Sequence, residues 1–164
     1  MILKSRNGFT MIEILIVTII IGLVAALAVP DFTEAMQKIR WHGAASDISS
    51  ALRLARSTAI SQQTQYGVTV DTSSNKVIVF KDIANKSNFA YDFGDSLVRE
   101  DSISASTEWL WASFTTGSVC FFPNGRASES GWIMASSYTD GMYQMFSVSV
   151  LAATGKVAID YIEN

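Results

Sequence analysis

From Ile14 to Val29 the sequence carries no charged residue, and Thr18 is its only hydroxyl. As a helix, Phe9 to Val29 would rise roughly 30 Å, enough to cross the hydrocarbon core of a bilayer. Lys4 and Arg6 precede it and Asp31 and Glu34 follow, an asymmetry that places the amino end in the cytoplasm and the rest outside. A secretory signal peptide cut after the apolar stretch competes with this arrangement, since Ala25, Ala26 and Ala28 offer small residues for cleavage. Glu13 weighs against it, being a carboxylate at the head of the apolar stretch with no obvious need to be there.

An ionisable group inside a membrane-embedded helix costs on the order of 2–3 kcal/mol and marks function by default. If the chain is cut after Gly8, the new amine on Phe9 sits four residues before Glu13, on the same helical face. Alternatively, each group neutralises its counterpart on a neighbouring chain. Either pairing gives the carboxylate a partner where an unpaired charge is strongly disfavoured.

The run Gly8-Phe9-Thr10-Met11-Ile12-Glu13, followed by the apolar helix and Pro30, resembles the type IV prepilin signature. The resemblance implies a leader over 1–8 removed by a prepilin peptidase between Gly8 and Phe9, and N-methylation of Phe9. It further implies that 9–30 is a transmembrane and filament-core helix whose Glu13 serves assembly. Gly22 and Pro30 both weaken a helix, so the segment between them is expected to be a local weak point. Residues 31–164 then form a periplasmic globular domain.

Beyond Asp31 the helical pattern continues to about Gln63. Ala44, Ile48, Ala51, Leu52, Ala55 and Ala59 recur at spacings of three and four, the mark of one buried face. After Gln65 the period changes. Tyr66 to Val70 and Lys76 to Phe80 flank Asp71-Thr72-Ser73-Ser74-Asn75 and read as a hairpin. Further strands are expected at Leu110 to Phe114, Val119 to Phe122, Trp132 to Ala135, Met145 to Leu151 and Lys156 to Ile162. Asp82 to Glu108 should be loop with one or two short strands. A long helix packed on an antiparallel β-sheet is an α+β domain.

Three further pieces carry a family likeness: the helical segment Ser50 to Ile60, the turn Phe122-Pro123-Asn124-Gly125-Arg126, and Thr154-Gly155-Lys156-Val157. Together they resemble the GspH/FimT group, the minor pseudopilins of type II secretion and minor pilins of type IV pili. The implied function is a structural minor pseudopilin that joins a periplasmic filament of the type II secretion system. The alternative is a FimT-like minor type IV pilin acting in pilus initiation or DNA uptake. The implied partners are a prepilin peptidase, other pseudopilins or minor pilins, and an inner-membrane assembly platform, at the bacterial inner membrane.

DNA capture in such relatives uses a Gly-Arg-any-Arg motif. Here the matching positions read Gly125-Arg126-Ala127-Ser128 and Gly155-Lys156-Val157-Ala158, each without the second Arg. The formal net charge of −3 adds no general attraction to nucleic acid, leaving Arg126 and Lys156 as weak candidates. Catalysis is not expected. His42 is the only histidine and Cys120 the only cysteine, so neither a nucleophile–base pair nor a His/Cys metal site suggests itself. Cys120 lies in the apolar run Val119 to Phe122 and reads as a small buried hydrophobe. Asp92, Asp95, Glu100 and Asp101 fit no calcium loop and read as a solvated acidic loop. No cofactor is implied.

Overall fold

The structure, a computed structural model, describes residues 8–103, 107–139 and 142–163, with side chains at 27–31, 33, 34, 139, 142 and 163 left aside. Most of the expected leader, residues 1–7 with Lys4 and Arg6, therefore lies outside the described residues. The chain divides into two compact units, 1–40 and 41–164. A helix, α1 (Met11–Gln62), contributes to both.

In the first unit, α1 is apolar on every side. Ile14, Leu15, Ile16, Val17, Ile19, Ile20, Ile21, Leu23 and Val24 are all exposed, and a helix with no polar face needs apolar surroundings all round. The helical backbone runs through Gly22 and Pro30. Among the described residues no helix is long and apolar enough to cross a membrane. The expected span over 9–30 is not recovered on those terms, for a simple reason. The continuous described side chains of the run stop at Ala26, so Met11 to Ala26 rises only about 24 Å.

In the second unit α1 buries one face only. Trp41, Ala44, Ala45, Ile48, Ala51, Leu52, Ala55 and Ala59 are buried, which adds Trp41 and Ala45 to the stripe expected from spacing. The helix stops where Gln63 adopts φ 50°, the left-handed conformation that commonly ends helices.

Eight strands follow: β1 (Tyr66–Asp71), β2 (Lys76–Lys81), β3 (Ser96–Ser102), β4 (Trp109–Ala112), β5 (Ser118–Phe121), β6 (Gly131–Thr139), β7 (Met142–Leu151) and β8 (Lys156–Glu163). They form two four-stranded sheets, in the orders β3-β2-β1-β5 and β4-β6-β7-β8, with every pairing antiparallel. The single sheet expected from the sequence is thus two. After β3 the chain crosses to begin the second sheet with β4, returns to the first for β5, and crosses again.

Alternation sorts each strand between core and surface. Val68, Val77, Val79, Val119 and Phe121 of the first sheet join Leu110, Ile133, Ala135, Phe146, Val148 and Val150 of the second in one cluster with the helix stripe. On β4, Leu110 points inward while Trp109 and Trp111 are exposed, and Trp132 on β6 packs edge-on to Trp111. The β6–β7 pairing runs as far as Thr139 opposite Met142, well past the expected end at Ala135. The polar residues Ser136 and Ser137 conceal this extension in the sequence.

Trp41 holds the helix to the second sheet, its ring meeting Phe146 edge-to-face at a centroid distance of 4.9 Å. Trp41→Ala empties that contact and is expected to cost about 3–5 kcal/mol, measured as a fall in the urea unfolding free energy. A loss below 1 kcal/mol would show that the helix is held elsewhere.

Candidate functional site

At the head of α1 the two residues that matter are Thr10 and Glu13. The Thr10 hydroxyl accepts from the Glu13 backbone N–H at 3.3 Å, and the Glu13 carboxylate accepts from the Thr10 N–H at 3.5 Å. This reciprocal pair is a capping box, which satisfies backbone donors that an uncapped helix leaves unpaired. The Thr-x-x-Glu spacing is visible in the sequence and was available to find it. The box turns the Glu13 carboxylate back toward the amino end, within one residue of Phe9. Gly8 and Phe9 precede the helix and are exposed.

The three sequence pieces of the globular domain converge at one junction. Arg56 on α1 donates from Nε to the Gly125 carbonyl at 3.0 Å. A Cβ on Gly155 would lie 2.2 Å from that carbonyl oxygen and 2.8 Å from Arg56 Nε, distances no side chain can occupy. Gly155 also sits at φ 61° and Gly125 at φ 80°, backbone that favours glycine. The Ala127 N–H donates to the Ala152 carbonyl at 3.0 Å, closing the β5–β6 turn onto the β7–β8 turn. Arg126 and Lys156 are both exposed, at the tips of these two adjoining turns.

A second cluster is entirely internal. Asp82, fully buried, accepts from Gln65 Nε2 at 2.7 Å through Oδ2, while Oδ1 meets no hydrogen-bond partner. Cys120 Sγ lies 3.9 Å from the same Oδ2. Burial pushes the Cys120 thiol up to about 12, which leaves it protonated and inert. Burial also raises Asp82 above the ordinary carboxylate range, with the Asp95 carboxylate adding to the effect. Nothing in the sequence distinguishes Gln65 and Asp82 from surface polar residues.

The acidic group is not one loop. Glu100 and Asp101 lie on β3, paired with Lys76 and Arg99 respectively. Asp95 caps its own turn by accepting from the N–H groups of Ile83, Ala84 and Asp92. Burial opposes its ionisation, but those backbone donors outweigh it and hold its carboxyl below the usual range. His42 is exposed and packs edge-on against Tyr161, ring centroids 4.4 Å apart.

Two outcomes follow from this geometry. Gly155→Ala should cost about 2–3 kcal/mol of stability, read from the urea midpoint. A wild-type midpoint would mean that the turn yields freely. Asp82 binds its proton more tightly folded than unfolded, so its favourable contribution is full below the ordinary carboxylate pKa and is lost as pH rises through the raised value. Asp82→Asn, neutral throughout, should therefore melt a few degrees above the parent near pH 7, with the gap closing toward about pH 4. A gap that widens on acidification would reverse this assignment.

Comparison with known proteins places these features. A family model described as type II transport protein GspH matches residues 44–153, and one described as the prokaryotic N-terminal methylation motif matches residues 3–29. Two fimbrial proteins of Pseudomonas aeruginosa are each 40% identical over 58 residues, 35% of this chain and 37% of theirs. The alignment thus spans little more than a third of those relatives. Among solved structures, the type IV minor pilin FimU of Pseudomonas aeruginosa PAO1 superposes with a TM-score of 0.56 at 18% identity, covering 73% of this chain and 87% of that one. The minor pseudopilin EpsH of the Vibrio cholerae type 2 secretion system gives 0.50 at 12% identity, covering 73% and 93%. At such identities the likeness is one of fold.

Proposed function

The chain belongs to the family of type II transport protein GspH, and from that premise we propose that it is a minor pseudopilin that assembles through α1 into a periplasmic filament of a type II secretion system. Its kin in fold are subunits of pili and pseudopili, not enzymes. The observation that carries the reading is Glu13 at the head of a helix apolar on every side, directly behind Gly8 and Phe9. In this reading a prepilin peptidase cuts between Gly8 and Phe9, and Phe9 is N-methylated. The match to the N-terminal methylation motif over residues 3–29 supports both steps.

Uncleaved, the Glu13 carboxylate reaches back to the Thr10 N–H. Cleavage would create a cationic amine on Phe9 one residue away, on the own chain or on a neighbour in the filament. Once the helix is packed among others, that amine would offer the carboxylate a counter-charge, and the pairing would reward correct axial register between subunits. The apolar faces around it would pack against the equivalent helices of other pseudopilins after release from the inner membrane by an assembly platform. The segment between Gly22 and Pro30 is where such a helix would most readily extend. The domain from 31 onward would stand on the periplasmic side. A second reading, a minor type IV pilin, is favoured by the fimbrial relatives and the FimU likeness. It uses the same helix and the same pairing, and Arg126 and Lys156 would be its residues for DNA.

Glu13→Leu keeps the helix apolar and removes the charge. Incorporation into sheared filaments, or secretion of a reporter, should fall at least about tenfold while the membrane-associated pool stays unchanged, the loss of a buried pair being worth several kcal/mol. Undiminished incorporation would sink the role assigned to this carboxylate. Mass spectrometry of the mature chain, beginning at a methylated Phe9, checks the processing independently.

A further inference from the structure

The junction of the three sequence pieces opens outward into a cleft of about 530 Å³, whose walls include Arg53, Arg56, Ser57, Ile60, Lys156 and Val157. Four of these, Arg53, Arg56, Ser57 and Ile60, follow the i, i+3, i+4, i+7 positions of one face of α1. Lys156 and Val157 face them from the start of β8. The whole cleft lies within the unit 41–164.

Its charge is unbalanced. Lys76 pairs with Glu100 and Arg99 with Asp101, whereas Arg53, Arg56 and Lys156 pair with no carboxylate among the described residues. Three uncompensated cations side by side repel one another, and they do so in a chain whose net charge is −3. One of them is held in place. Arg56 donates Nε to the Gly125 carbonyl, and the missing Cβ of Gly155 leaves it room to do so. Its terminal nitrogens keep their donors for something else. A guanidinium fixed in this way presents a planar fork suited to a carboxylate. Fixing it before binding also lowers the entropy cost of the contact.

We propose that this cleft is a docking site for an acidic segment of another polypeptide, with a carboxylate between Arg53, Arg56 and Lys156 and an adjoining apolar side chain against Ile60 and Val157. The lining favours a peptide over nucleic acid. Ile60 is 40% exposed and lies beside the cations, giving an apolar contact that a phosphate backbone has no use for. The cleft itself holds three cations, fewer than the long basic track that a phosphodiester chain follows. The site owes nothing to Glu13, so its test and that of filament assembly fail separately.

The test titrates the full chain, held in mild detergent, with a capped hexapeptide bearing one Asp between Val and Leu. Arginine Nε–Hε and glycine amide signals are followed by NMR. The Arg56 side chain and Gly155 should shift saturably in the sub-millimolar range, as expected for a small, preorganised contact. The same peptide with Asn for Asp should not shift them. Arg53→Gln combined with Lys156→Gln changes only exposed positions and spares the Arg56 contact, so the fold is kept. It should weaken binding about tenfold or more. Four results overturn the proposal: equal binding of the Asn peptide, inorganic phosphate binding as tightly as the peptide, a single-stranded DNA oligomer binding more tightly with steep salt dependence, or shifts indifferent to the double substitution.

Discussion

Both sheets depend on the small-residue face of one helix. Ala44, Ala45, Ala51, Ala55 and Ala59, with Ile48 and Leu52 between them, share one buried cluster with Val68, Val79 and Phe121 of one sheet and Ile133, Phe146 and Val148 of the other. The two sheets share this single core instead of each closing on its own. Larger residues at the alanine positions would lift the helix and open both sheets together, because interiors packed at crystal-like density cannot absorb added volume locally.

The helix itself changes character along its length. In 41–62 it has one buried face and one wet face, the pattern of a helix lying on a globular core. In 11–26 it has no polar face, and its apolar side chains are exposed all round. Continuous helical backbone thus joins two solvation regimes, and the chain divides at Arg40 and Trp41, where the first buried aromatic anchor appears.

The helix stripe was legible in the sequence because a spacing of three and four has one geometric meaning, and the hairpin around Asp71 because its turn residues are explicit. The partition of strands into two sheets was not. Alternation shows which residues face inward but not which strand lies alongside, and β5 returns to the first sheet only after β4 has opened the second. Glu100 and Asp101 read as loop because charge is rare in strands, yet cross-strand and along-strand cations balance them on β3. At the amino end, Glu13 was conspicuous as a charge, while its part in a capping box with Thr10 required attention to spacing rather than polarity. The junction of Arg56, Gly125 and Gly155 lay beyond sequence reading. It joins positions 69 apart through a backbone carbonyl, which no side-chain pattern records.

The distribution of tryptophans gives the molecule a built-in optical division of labour. Trp41 is sealed in the core beside Phe146, whereas Trp109 and Trp111 stand in solvent on the outer face of the second sheet. A collisional quencher in water therefore reaches the β4 pair, and in part the half-buried Trp132 beside Trp111, and leaves the helix anchor bright. Emission from the folded chain separates into a component that senses what touches the sheet surface and one that senses only whether helix and sheets are still joined.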